Sequence, residues 1–190
     1  MIINYLGNGS FKLQSGSVSL LADAESNRFK ADVSLRTIAA SDIAPATASS
    51  GDTEISFPGE YEVKGIEISG INISEESTEK FLKTAYLVKW EGIKLAFLGH
   101  LSKSLSAATV EELDEPDVVF LPVGGGHFLS PEEAAKLAKK LAPSFVIPAF
   151  YKNPADFLKA MGQKSEPEEK LVFKKKDLEG AKNKVVVLKV

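Results

Sequence analysis

Apolar and polar positions alternate in short runs through the first half of the chain. Ile2 to Leu6, Ser10 to Leu13, Ser17 to Leu21, Ala31 to Arg36, Gly59 to Val63 and Ile66 to Ile73 each show the two-residue period of a half-buried strand, with turn residues between them. The pattern predicts consecutive antiparallel strands. Ala85 to Trp90 and Ile93 to Leu98 flank Glu91-Gly92, the two-residue spacing of a hairpin. After Leu98 the rhythm changes to helix then strand. Ala107 to Leu113 reads as a helix before the continuous apolar run Asp117 to Pro122, which makes a parallel crossover the expected connection. Ser130 is placed to cap a helix that has Pro131 at its first position and Glu133 closing a capping box, running to about Ala142 before Pro143. Ser144 to Ile147 is a short strand, and Asn153-Pro154 opens a second helix, Ala155 to Met161, that Gly162 can end. Residues 163 to 170 form a polar connection, and Lys184 to Val190 is expected as a final strand buried on both faces. Ile38 to Thr53, rich in Ala, Ser and Thr around Pro45 and Gly51, breaks this regularity and reads as a long loop, which compact domains keep mainly for functional reasons.

Length and composition narrow the picture. The 190 residues, 44% hydrophobic and 26% charged, suit one domain over residues 1–190 that folds on its own core. Absence of Cys excludes disulfides, thiolate metal sites and a cysteine nucleophile, and accords with a reducing cytoplasm. The start of the chain, Met1 to Gly7, lacks the basic flank and apolar stretch of a signal peptide, and no apolar run approaches the roughly 20 residues that span a bilayer. A cytoplasmic protein without membrane contact is expected. With 23 basic against 26 acidic residues, the formal charge of −3 leaves no excess to attract a phosphate backbone, so nucleic acid is not expected as a partner. The one basic run, Lys174-Lys175-Lys176, lies among Glu166, Glu168, Glu169, Asp177 and Glu179 and reads as a solvated surface.

Four segments, in order, carry a family likeness. They are Tyr5-Leu6-Gly7-Asn8-Gly9-Ser10-Phe11, Pro58-Gly59-Glu60-Tyr61-Glu62-Val63, Leu121-Pro122-Val123-Gly124-Gly125-Gly126 and Val146-Ile147-Pro148-Ala149-Phe150-Tyr151. Together they resemble the metallo-β-lactamase superfamily, in particular its lactonase-like branch of small Zn-dependent hydrolases. The resemblance implies an α/β (α+β) fold, a four-layer αββα sandwich of antiparallel and mixed sheets. It also exposes departures. The family's His-x-His-x-Asp-His loop stands here as Ile38-Ala39-Ala40-Ser41-Asp42-Ile43, its Gly-Asp as Gly99-His100, and its Pro-Met-His-Tyr as Pro148-Ala149-Phe150-Tyr151. No His lies among Ser74 to Lys80, and the His of the opening Gly-His is Asn8. Aliphatic side chains have no lone pair for a metal, and the whole chain holds two His where a dinuclear centre of that type needs about five.

The resemblance places the mouth of the family's site at Asn8, Asp42, His100, Gly124, Gly125, Gly126, His127 and Tyr151. From the missing ligands the expectation is a degenerate, non-catalytic member without a cofactor, binding a protein partner or a small ligand through the relic cleft, with homo-oligomerisation suggested by relatives of the fold. The alternative is a metal-dependent hydrolase of lactone or phosphoester type, with Asp42, His100 and His127 holding one Zn or Mn ion. Gly124-Gly125-Gly126 before the helix at Ser130 also offers an anion pocket, although a tight turn needs the same residues. Ser10, Ser41 and Ser102 stand in no nucleophile elbow.

Overall fold

The computed structural model describes residues 1–25, 28–41 and 53–190. Three antiparallel strands open the chain, β1 (Ile2–Gly7), β2 (Ser10–Ser15) and β3 (Val18–Ala22). Next come β4 (Val33–Leu35), β5 (Ile38–Ala40), β6 (Thr53–Ile55), β7 (Gly59–Val63), β8 (Ile66–Asn72), β9 (Phe81–Trp90) and β10 (Ile93–Phe97). The remainder alternates: α1 (Ala107–Glu112), β11 (Val118–Pro122), α2 (Pro131–Leu141), β12 (Phe145–Ala149), α3 (Ala155–Met161), β13 (Leu171–Val172) and β14 (Lys184–Val185).

Two sheets result. One has the order β13-β1-β2-β3-β4-β6; the other has β14-β12-β11-β10-β9-β8-β7, with β5 paired against the start of β9. The alternation read from the sequence explains their packing. In β11, Val118 and Phe120 face the other sheet, where they join Phe11 and Leu20, while Val119 and Leu121 face the helices beside Ala134, Leu137 and Phe157. A strand with both faces covered has no polar side to present, so all five of its residues are buried. All three helices contribute to or flank this second core, so the larger sheet carries a helical layer. Among the described residues the helices pack with the larger sheet, within the mixed α/β sandwich that was expected.

Several expectations shift. β3 pairs β4 in parallel, where antiparallel neighbours were expected, and β4 pairs in parallel with β6, a strand the sequence pattern did not mark. The connections leading into β4 and β6 are long enough to return the chain to the same edge, which a tight hairpin cannot do. The first residues of the expected loop, Ile38–Ala40, form β5 because β9 begins at Phe81 and offers them a free edge; most of the rest of that loop lies outside the described residues. The final strand is short: β14 ends at Val185, yet Val186, Val187 and Leu188 stay buried, with Val186 N–H bonded to the Val146 carbonyl. The α2 prediction holds in detail. Ser130 Oγ accepts from Glu133 N–H at 3.2 Å, and Glu133 Oε2 accepts from Ser130 N–H at 3.2 Å.

Strands β10, β11 and β12 run parallel, so the chain leaves all three at one end of the sheet. His100 follows β10, Gly124 to His127 follow β11, and Phe150 and Tyr151 follow β12. The carboxyl ends of parallel strands are where α/β sheets place their ligands.

Candidate functional site

His100 is fixed by residues distant in sequence. Its Nδ1 lies 2.9 Å from Thr37 Oγ1, and Thr37 Oγ1 donates to Asp23 Oδ2 at 2.7 Å while Thr37 N–H donates to Asp23 Oδ1 at 2.8 Å. Because the single Thr37 hydroxyl proton goes to Asp23, the hydroxyl can only accept from His100, which puts the imidazole proton on Nδ1 and leaves the Nε2 lone pair free. Asp23 Oδ2 stands 4.0 Å from His100 Nδ1 behind this bridge. Burial raises the Asp23 pKa, against the lowering influence of His100 and the two Thr37 bonds; burial likewise lowers that of His100. The imidazole is therefore held as the neutral base. Gly99 makes the approach feasible, since a Cβ there would lie 1.8 Å from Thr37 Oγ1.

The backbone of His100 has a second anchor. Lys83 Nζ donates to the His100 carbonyl at 2.7 Å and to Glu76 Oε2 at 2.5 Å. Glu76, with only 2% of its side chain exposed, also accepts from Ser102 N–H, Ser102 Oγ and Lys103 N–H. Burial acts to raise its pKa, but Lys83, Ser102 and the two amides outweigh this and hold it lowered.

His100 lines a cavity of about 810 Å³ whose walls include Asn8, Glu25, Gly124 to Phe128, Phe150 and Tyr151. A smaller pocket, sharing Asn8, Glu25, His100 and Phe150, extends it toward Asp23 and Arg36. Of the residues expected at the mouth, Asn8, His100, the three glycines, His127 and Tyr151 thus meet at one cavity; Asp42 lies outside the described residues. Their chemistry differs from expectation in places. Asn8 Nδ2 donates to Glu25 Oε2 at 3.0 Å. Tyr151 donates its hydroxyl to the Leu188 carbonyl at 2.8 Å, and burial pushes its pKa up to about 12. The triple glycine is a turn: Gly125 N–H bonds the Leu129 carbonyl, and Phe128 N–H bonds that of Gly125. The α2 N-terminus behind it is closed by its own capping box, with Glu132 and Glu133 in its first turn, so it does not serve an anion. Reading the sequence alone missed Asp23, Thr37, Glu25, Glu76, Lys83 and Phe128. The signal available for Asp23 was an acid directly following the apolar strand Ser17 to Leu21 and Ala22.

As a metal centre the described donors do not fit. Among the described residues no group of three or more His, Asp or Glu stands close enough together to hold an ion. The Phe150 ring, with no donor atom, packs 4.8 Å from that of His100.

Comparison with known proteins supplies the family. Residues 2–149 match the Beta-lactamase superfamily domain family. A metal-dependent hydrolase from Thermococcus onnurineus is 28% identical over 120 residues, covering 57% of this chain and 54% of that protein. One from Pyrococcus furiosus is 36% identical over 105 residues, covering 55% and 42%. The chain spans about half the length of the curated relatives it matches. Among solved structures, a proposed Zn-dependent hydrolase of the metallo-β-lactamase superfamily from Thermotoga maritima superposes with a TM-score of 0.80 at 27% identity, over 98% of this chain and 97% of that one. A metallo-β-lactamase fold protein from Bacillus subtilis matches with a TM-score of 0.67 at 10% identity, over 99% and 96%, and shows the fold alone. These relatives correct the expectation of a non-catalytic member without a cofactor, because the proteins to which the sequence is similar carry the name of metal-dependent hydrolases. From its strand order, its cavity at the carboxyl ends of β10 to β12 and its match over residues 2–149, the chain belongs to the metallo-β-lactamase superfamily.

Proposed function

We propose that this chain is a metal-dependent hydrolase acting on a lactone or phosphoester in the cavity beside His100. Relatives named metal-dependent hydrolases support the hydrolase reading, and so does one observation within the chain. His100 is anchored on both sides, by Asp23 through Thr37 at its ring and by Lys83 at its carbonyl, while its ring lines the cavity. An imidazole so held, neutral and with Nε2 free, accepts a proton from water as that water attacks the substrate. Buried Asp23 keeps the ring in the required tautomer and favours the imidazolium as it forms. The divalent ion for which the relatives are named would supply Lewis-acid polarisation of the substrate. The described donors do not assemble a centre for it, and the roles above belong to the chain's own groups.

The test is hydrolysis of a panel of lactones and phosphoesters by wild type and by His100→Ala. Loss of a general base costs about 10²-fold or more in kcat, with the fold unchanged by circular dichroism. Equal activity in the variant removes His100 from the reaction and this reading with it.

A further inference from the structure

Donors and acceptors on the walls of the large cavity are unevenly committed. Several of its donors are spent within the protein. The Asn8 amide donates to Glu25, the Tyr151 hydroxyl to the Leu188 carbonyl, and the Gly125 and Phe128 N–H groups to the carbonyls of Leu129 and Gly125. His100 turns its Nδ1–H to Thr37 and, held neutral by burial, adds no positive charge. The acceptors are freer. Glu25 is exposed and takes its hydrogen bond from the neutral amide of Asn8, and among the described residues the Asp156 carboxylate has no hydrogen-bond or ion-pair partner. Lys152 is the one ammonium among the residues that line the cavity with these two carboxylates.

The apolar part of the same wall is aromatic. The Phe128 and Phe150 rings stack at 4.4 Å, and that of Phe150 lies 4.8 Å from the His100 ring. Phe150 reaches this place with φ at +54°, a conformation that an aromatic residue rarely adopts, and a Cβ at Gly9 would lie 2.0 Å from its Cζ. An aromatic face carries negative charge density, so it attracts a cation and covers the apolar carbons beside it. Glu25, His100 and Phe150 line both the large cavity and the side pocket, which brings a carboxylate and a ring together at one junction. Uncommitted carboxylates beside aromatic rings complement a ligand that brings its own N–H groups and a positive charge.

We infer that this junction binds an organic ammonium ion, the protonated form of an alkyl or arylalkyl amine, with its nitrogen at the Glu25 carboxylate and its carbons against Phe128 and Phe150. The same chemistry serves an amine borne by the substrate or a free amine that regulates the site. Binding rests on the walls alone; its assignment to the substrate rests on the hydrolase reading above.

Three probes share one ring and differ in charge: benzylammonium, benzyl alcohol and benzoate. The chain has two His, so its imidazole resonances in an NMR spectrum come from two rings, assigned by His100→Ala. Benzylammonium is expected to shift the His100 resonances saturably, with an affinity about tenfold above that of benzyl alcohol, and benzoate to leave them in place. Glu25→Gln should weaken benzylammonium about tenfold and leave benzyl alcohol unchanged. High salt should do the same to the wild-type protein, which needs no variant to fold. Benzyl alcohol or benzoate binding as tightly as benzylammonium, no saturable shift by benzylammonium, or its unchanged affinity in folded Glu25→Gln overturns the inference. Where a lactone or phosphoester is turned over, benzylammonium that raises KM at constant kcat supports an amine on the substrate, and one that changes kcat supports a regulator. Binding as expected without any turnover upholds the ammonium site and counts against the hydrolase reading alone.

Discussion

Glu76 shows what single residues contribute beyond packing. Its carboxylate, 2% exposed, gathers the Lys83 ammonium, the Ser102 hydroxyl and two backbone amides, and so ties the turn after β8 to the turn that carries His100. Removing one partner of a buried pair leaves the other charge uncompensated, which costs about 3–5 kcal/mol. Glu76→Ala should therefore lower the melting temperature by many degrees, whereas alanine at exposed Glu60 should not. The pH dependence has a definite sign. The folded pKa of Glu76 lies below its ordinary value of 4.5, so the stabilisation is complete above that value and is lost as pH falls through the folded one. Glu76→Gln should flatten the acid side of a stability-against-pH curve; an unchanged acid side would mean that the carboxylate is not ionised in the fold. None of this was legible in the sequence. Asp23, Thr37 and His100, like Glu76, Lys83 and Ser102, are ordinary residue types whose meaning arises from contacts between distant segments. His100 and Asn8 were legible because turn motifs marked their positions.

Elements were read best where local chemistry decides them. Ser130, Pro131 and Glu133 specify the start of α2 without help from the rest of the molecule, and its Ala134, Leu137, Ala138 and Leu141 stripe is buried as the spacing requires. Ser130→Ala should destabilise the protein by about 1 kcal/mol in denaturant unfolding, through loss of the cap. A loss near zero would show that tertiary packing alone holds the helix end. Elements decided by tertiary pairing were read poorly. β5 and β13 are three and two residues long, too short for any period to register, and exist because β9 and β1 offer them an edge. The parallel placement of β4 between β3 and β6 depends on where long connections return.

The whole molecule is two sheets around one core, with a second core between the larger sheet and its helices. This architecture was legible through the four turn motifs, because turns and close approaches demand particular residues wherever the fold recurs. Function was misread at the same scale. Counting histidines gives the absence of a full two-metal centre, and the non-catalytic reading drawn from that count is opposed by the names of the relatives, which are metal-dependent hydrolases. No helix among the described residues is long and apolar enough to cross a membrane. The central claim, metal-dependent hydrolysis with His100 as its base, is tested most directly by chelating the purified protein, assaying it against lactones and phosphoesters, and repeating the assay after adding Zn or Mn. Activity absent after chelation and restored by the ion is the predicted result. Hydrolysis that is equal with and without metal, or absent under both conditions, contradicts it.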